Sequence, residues 1–243
     1  MRINDCDGAI LCGGLGTRLR NVIGDTPKVM AEVNGHPFLD KIITHLKKEG
    51  IPRVVLCTGY KAGTVESYYR EHNFGLTIDF SREHEPLGTG GALKNARGHI
   101  LSDPFFVLNG DSFLPADLQA FLDFHKEKHA LASILIAQAD WAKDFGSIQI
   151  DGTGRLKGFS EKKDSALPSW VNAGIYCFNQ EVFSYMPKGR NFSLETDLFP
   201  KLVGTKFYGY RSDQKFMDIG IPQRYQSIKQ DMERGKKIEN QRE

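Results

Sequence analysis

Residues 8–19 read GAILCGGLGTRL, an apolar run from Gly8 to Cys12 stopped by the pair Gly13-Gly14. A short apolar run bounded by glycines reads as a buried strand opening into a tight turn. Past the strand, Gly13, Gly14 and Gly16 let backbone N–H groups turn toward an anion, and a helix N-terminus behind the loop would add a positive dipole end. Arg18 supplies a planar guanidinium suited to phosphate oxygens, and Lys28, after Thr26-Pro27, a second cation. Two familiar phosphate-binding patterns fit poorly. The third glycine of a dinucleotide fingerprint would fall at Leu19, and no Gly-Lys-Ser/Thr follows as in a P-loop. A plain glycine turn with solvated charges is the competing reading.

Working outward, residues 38–49 carry Phe38, Leu39, Ile42, Ile43 and Leu46 as one helical stripe closed by Gly50. Strands follow over 53–58 and 76–81 with a helix over 62–72 between them, which is βαβ alternation. Further strands are expected at 105–108, 131–137, 146–150, 173–178 and 207–210, and helices near 116–128 and 194–202. Residues 145–159 pattern as a hairpin around Asp151-Gly152. From Pro222, Tyr225, Ile228 and Met232 share one helical face, with a charged, frayed tail beyond Gly235. The pattern predicts an α/β fold: a mostly parallel, mixed sheet covered on both faces, with a small antiparallel insertion. One domain over 1–243 is expected.

The chain has 243 residues, 40% hydrophobic, with 32 Lys and Arg against 30 acids. A formal charge of +2 is too even for a long-range pull on nucleic acid or an anionic membrane, so neither is expected as a partner, and any phosphate binding must be local. Cys6, Cys12, Cys57 and Cys177 stand far apart, without CxxC or zinc-ligand spacing, and read as free buried thiols. Asp5 and Asp7 precede the first strand directly, so neither a signal nor a transit peptide is expected, and the reducing cytoplasm is the expected compartment.

Among the acids, Asp111 follows the apolar 105–108 run in Asn109-Gly110-Asp111, which places it at the carboxyl end of a strand, where open α/β sheets bind ligands. Asn-Gly is also a hairpin signal, although Pro115 argues against a long returning arm. Asp218, just before Pro222, has as its rival an ordinary acidic position near a helix start. The segment 85–92, Glu-Pro-Leu-Gly-Thr-Gly-Gly-Ala, joins a rigid start to small residues that let a flat ring approach the backbone; a glycine turn capping a helix is the alternative. Lys162 lies in Glu161-Lys162-Lys163-Asp164, a charge run of the kind that usually faces solvent.

GGLGTRL followed by TPK resembles the signature of the sugar-phosphate nucleotidyltransferases. The resemblance continues in order through EPLGTGGA at 85–92, LNGDS at 108–112, Glu161-Lys162, NAGIY at 172–176 and Asp218-Ile219-Gly220. Within that family the chain looks like the short bacterial D-glycero-D-manno-heptose 1-phosphate guanylyltransferases, which make GDP-heptose for surface polysaccharides. Val29 stands where relatives often carry proline, and 20–25 lacks a common Pro-Leu-Thr element.

The resemblance implies a three-layer Rossmann-like nucleotidyltransferase fold, with 1–112 mainly binding nucleotide, 113–222 mainly binding sugar phosphate, and 223–243 forming a C-terminal helix and tail. It implies that GTP or another NTP meets Leu11, Gly13, Gly14, Gly16, Thr17, Arg18, Glu85, Gly88, Thr89 and Gly110. The sugar 1-phosphate would meet Gly146, Glu161, Lys162, Asn172 and Glu195. Asp111 and Asp218 would hold Mg²⁺, a hard cation suited to carboxylates and phosphates, with zinc disfavoured. Arg18, Lys28, Asp111 and Lys162 would carry catalysis of an in-line attack on the α-phosphorus, for which a phosphate nucleophile needs no general base. A homodimer is compatible with all of this. Two rivals remain: a non-catalytic nucleotide-sugar-binding paralogue, and a glycosyltransferase, whose usual Asp-x-Asp motif is absent.

Overall fold

A computed structural model describes residues 2–138, 147–160, 170–189 and 191–239. Strand β1 (Asp7–Leu11) opens into the glycine-rich loop, a single helical turn α1 (Arg20–Ile23), and a small ribbon of β2 (Glu32–Val33) with β3 (His36–Pro37). The alternation continues with α2 (Phe38–Glu49), β4 (Arg53–Thr58), α3 (Ala62–Glu71), β5 (Thr77–Arg82), α4 (Gly88–Asn95) and β6 (Phe105–Asn109). Then come β7 (Ser112–Phe113), α5 (Leu118–Glu127), β8 (Ala132–Gln138), β9 (Ser147–Ile150), β10 (Leu156–Ser160) and β11 (Trp170–Phe178). The chain closes through α6 (Phe199–Leu202), β12 (Phe207–Ser212), β13 (Met217–Asp218) and α7 (Pro222–Glu239).

Side-chain alternation along the central strands decides the layering. Ile10 of β1 and Phe106 and Leu108 of β6 enter one apolar cluster, with Leu39 and Ile42 of α2, Val65 of α3 and Phe121 of α5. Ala9, Phe105 and Val107 enter the other, with Leu93 of α4 and Phe199 of α6. Both faces of the sheet are thus covered, and its central strands read as continuous apolar runs.

The main sheet runs β10-β9-β11-β6-β1-β4-β5, with β8 on β11 and β12 on β8. Strands β6, β1, β4 and β5 are parallel, and β12 is parallel to β8. Strand β11 supplies the antiparallel pairings to β6, β8 and β9. It forks the sheet, because Ile175–Phe178 pair with β6 while Trp170 and Val171 pair with β9. Its register shifts between Asn172 and Tyr176, and Gly174 sits there at φ +71, where a Cβ would stand 2.6 Å from Ser112 Oγ.

The expected mixed sheet and antiparallel insertion are present, with some adjustments of detail. Asp151-Gly152 begins a longer turn rather than forming it, since the Asp151 carboxylate accepts the Thr153 and Arg155 N–H groups and Gly154 takes φ +86. Residues 194–202 form a π-type turn, Leu194–Leu198, before α6, and Pro200 lacks the N–H that a regular helix would need there. Helix α7 continues to Glu239, past the fraying expected at Gly235, because the residues flanking that glycine are strong helix formers. Among the described residues no helix is long and apolar enough to cross a membrane, and all four cysteines are free and buried.

Phe121 is fully buried, its ring centroid 6.2 Å from that of Phe106 and 5.4 Å from that of Tyr210. Phe121→Ala is expected to lower stability by about 3–5 kcal/mol, measured by denaturant unfolding.

Candidate active site

The parallel strands β1 and β6 end side by side, and both chains turn there on glycine. The Gly110 N–H donates to Leu11 O at 3.0 Å, and a Cβ on Gly110 would lie 2.7 Å from that oxygen. The glycine-rich loop leaves β1 over this edge. Its start is fixed where Tyr60 N–H donates to Gly13 O, and its far end where Asp25 accepts from the Tyr60 hydroxyl at 2.6 Å and from Lys61. Gly16, at φ +61, packs its backbone against Lys28, with 3.0 Å from Lys28 Cβ to the position a Cβ would take. The helix behind the loop, α1, is one turn long, so backbone amides and cations rather than a helix dipole are what the loop offers an anion. Thr17 and Arg18 are exposed along it.

Lys28 is 9% exposed in a 3-10 turn that follows Pro27, and its Nζ donates to Asp111 Oδ2 at 2.5 Å. Burial pushes the Asp111 carboxyl up, but Lys28, and at longer range Arg18, outweigh it and leave the group below the ordinary carboxylate range. Asp111 does not begin a hairpin with β6. Instead β7 pairs with β13, which sets Ser112 opposite Asp218, and Ile219 N–H donates to Asp111 O at 3.0 Å. The two acids that are far apart in sequence are therefore neighbours.

Asp218 is 8% exposed, and its Oδ1 accepts from Arg224 at 2.7 Å and from Gly220 N–H at 2.8 Å. Burial and the nearby Asp111 charge raise its carboxyl, against the opposing pull of Arg224 and Lys28. Buried Asn109 Oδ1, at the end of β6, has no hydrogen-bond partner among the described residues. Two carboxylates and an unpartnered amide oxygen at one edge form a hard-oxygen set that fits a magnesium-type ion, which completes its shell with phosphates and water. Among the described residues there is no cluster of three or more metal-ligating side chains of the kind zinc prefers.

The cleft beneath the loop is lined by Leu11, Gly13, Gly14, Gly88, Thr89 and Glu83, as well as by Lys28, Asn109 and Asp111. Glu83 takes the place the sequence reading gave to Glu85. Its carboxylate fills the space that a Cβ on Gly13 or Gly59 would need and accepts the Leu87 N–H at 3.1 Å, and burial raises its pKa. Glu85 is exposed and outside the lining. Glu83 is held inward just past β5, where its N–H donates to Thr58 O at 2.8 Å and its carboxylate packs on Gly13 and Gly59.

From the second half of the chain, Asn172 donates to the Tyr176 hydroxyl at 2.8 Å, and that hydroxyl reaches Glu195 Oε1 at 3.4 Å. Glu195 Oε2 accepts from Thr89 at 2.7 Å, which joins the start of α4 directly to this later segment. Gly146, Glu161 and Lys162 lie outside the described residues. Sequence reasoning missed Glu83, Tyr176 and Arg224. Tyr176 stood within the quoted NAGIY motif, whereas nothing in the spacing of PQRY marks Arg224 as a buried partner for an acid.

Residues 7–235 match the Nucleotidyl transferase family. The chain belongs to that family. This nucleotidyl transferase is 35% identical over 228 residues to the D-glycero-alpha-D-manno-heptose 1-phosphate guanylyltransferase of Aneurinibacillus thermoaerophilus, covering 93% of this chain and 98% of that one. It is 34% identical over 239 residues to the mannose-1-phosphate guanylyltransferase of Mycobacterium tuberculosis, covering 97% of this chain and 67% of the relative. The crystal structure of HddC from Yersinia pseudotuberculosis superimposes with a TM-score of 0.84 at 33% identity, over 93% of this chain and 99% of HddC. HddC has also been crystallised in complex with GMP-PN.

Because Glu83 faces the cleft of this nucleotidyl transferase and Glu85 does not, the two should differ sharply on substitution. Glu83→Gln is expected to weaken nucleotide binding about tenfold, and Glu85→Gln to leave it within about threefold, both measured by calorimetry.

Proposed function

We propose that the protein is a sugar-1-phosphate guanylyltransferase that joins GTP to D-glycero-D-manno-heptose 1-phosphate, giving GDP-heptose and pyrophosphate for surface polysaccharide synthesis. The observation that carries the reading is the meeting of Lys28, Asp111 and Asp218 beside the glycine-rich loop, along which Arg18 is exposed. Fixed positive groups beside paired carboxylates are what two mutually repelling polyanions need in order to approach.

In this reading the phosphates of GTP lie along Gly13, Gly14, Gly16 and Thr17. Arg18 and Lys28 neutralise charge that builds on the transferred phosphoryl group and the departing pyrophosphate. Asp111 and Asp218 would hold Mg²⁺, which when bound supplies charge neutralisation on phosphate oxygens. Guanine presents N–H donors on its pairing edge, and Glu83, placed in the cleft as an acceptor, suits them better than it suits uracil. Gly88 and Gly110 give the nucleotide close backbone approach. The sugar 1-phosphate would meet Asn172 and Glu195 together with Gly146, Glu161 and Lys162, and Lys162 would lessen repulsion between the substrates. The attacking phosphate is already ionised near neutral pH, so alignment rather than general base catalysis is what the protein contributes.

The likeness to a heptose enzyme along nearly its whole length supports the heptose substrate, and the mannose enzyme is the specific alternative. A panel of four nucleoside triphosphates against manno-heptose, mannose and glucose 1-phosphates, read as pyrophosphate release with magnesium, tests both. Highest turnover is expected with GTP and the heptose phosphate. Preference for UTP or CTP would overturn the guanylyl assignment, and preference for mannose 1-phosphate the heptose one. A folded protein that binds nucleotide yet releases no pyrophosphate would be a regulatory paralogue instead. Lys28→Ala and Asp111→Ala are each expected to lower turnover by ~10²-fold or more while staying folded by circular dichroism.

A further inference from the structure

Thr89 belongs by sequence to the nucleotide-facing segment, yet its hydroxyl faces the other side of the cleft. Oγ1 accepts the Leu194 N–H at 2.9 Å and donates to Glu195 Oε2 at 2.7 Å. A hydroxyl has one proton. With that proton given to Glu195, Thr89 has none left for a nucleotide.

This contact is one of a series that fastens the start of α4 to a stretch about a hundred residues later. Asn191 donates to Pro86 O at 3.0 Å and Phe192 N–H to Leu87 O at 3.0 Å. Phe192 O accepts from Gly90 N–H and Gly91 N–H at 3.0 and 3.1 Å, and Lys94 Nζ reaches Pro187 O at 2.6 Å. The glycines allow it: a Cβ on Gly88 would stand 2.6 Å from Phe192 O, and one on Gly90 would strike the Phe192 ring. The two segments are held together by backbone and side-chain hydrogen bonds.

Glu195 is turned in a definite direction by these contacts. Its Oε2 takes two hydroxyl protons, from Thr89 and from Ser193, both at 2.7 Å. Among the described residues its Oε1 has only the long 3.4 Å contact from Tyr176, which leaves capacity for a ligand hydroxyl. Ser193 sits in the same turn as Glu195, where it also accepts the Glu195 and Thr196 N–H groups, so it travels with the carboxylate. Thr89 is the donor that comes from α4.

We infer that Thr89 is a positioning residue for the sugar 1-phosphate: its hydroxyl fixes Glu195 with Oε1 toward the sugar, so the helix that borders the nucleotide sets the geometry of the sugar side. This role rests on the proposed reading of Glu195 as a sugar contact. It separates Thr89 from its neighbours Gly88 and Gly90, which serve the close packing of α4 on Phe192.

The test is steady-state pyrophosphate release with GTP and the preferred sugar 1-phosphate, each varied in turn, for Thr89→Val, Thr89→Ser, Glu195→Gln and the Thr89→Val/Glu195→Gln double variant. Thr89→Val keeps the shape and loses the hydroxyl. It is expected to raise the sugar-phosphate KM about tenfold while the GTP KM moves less than about threefold, and Thr89→Ser is expected to restore the wild-type value. On the Glu195→Gln background the valine should add less than about twofold. Calorimetric GTP binding and the melting temperature check folding, and Thr89→Ala serves if the valine variant does not fold. A raised GTP KM with an unchanged sugar KM, or full additivity with Glu195→Gln, would overturn the positioning role. If wild-type protein releases no pyrophosphate with any substrate pair, the proposed function fails and takes this role with it. Normal wild-type turnover with an indifferent Thr89→Val variant sinks the role alone.

Discussion

Two carboxylates side by side in a low-dielectric setting repel each other, and much of this protein's architecture makes that arrangement tolerable. The pairing of β7 with β13 forces Asp111 and Asp218 together. Lys28 answers the first across a half-buried ion pair, and Arg224 the second across one largely removed from water. The opposite shifts of the two carboxyls, down for Asp111 and up for Asp218, express the imbalance that remains. The two carboxylates and their two cations balance in formal charge, so the site holds paired charges in place without a large net field. Removing one member of a buried pair leaves the other uncompensated, so the four side chains act as a unit and not as separate contributions.

Around that centre, close approach of backbone does what longer side chains cannot. Gly110 lets β6 turn against β1, Gly16 lets the loop settle on Lys28, and Gly174 lets β11 bulge past Ser112 and Asn109. A single methyl group would press on the Leu11 carbonyl at Gly110, on Lys28 at Gly16, and on Ser112 and Asn109 at Gly174. The glycines are therefore part of the site's geometry even where no ligand touches them.

Much of this was legible in the sequence because it rests on patterns with a period. The apolar run of β1, the stripe of α2 and the runs of β4 and β6 announced the three layers, and the glycine loop followed by Arg18 and Lys28 announced an anion site. Asp111 could be placed at a strand end by the same logic. Its partnership with Asp218 could not be read from spacing, since it depends on a two-residue ladder between β7 and β13 that is too short to have a period. Glu83 was missed in favour of Glu85 because a two-residue difference at the end of β5 decides which carboxylate points inward, and element ends are where sequence patterns lose resolution. Thr89 was read as a nucleotide contact from the segment it lies in, and spacing gives no sign of its hydrogen bond to Glu195, far along the chain.

The fork in β11 has a mechanical consequence. The hairpin of β9 and β10 joins the sheet at Trp170 and Val171 and touches β12 through Gly154 and Arg155, whereas β6 is gripped separately by Ile175–Phe178. The arm and the edge formed by β1 and β6 thus share a strand without sharing a hydrogen-bond ladder. A change in the arm's pairing at Trp170 and Val171 therefore leaves the hydrogen bonds between Ile175–Phe178 and β6 in register.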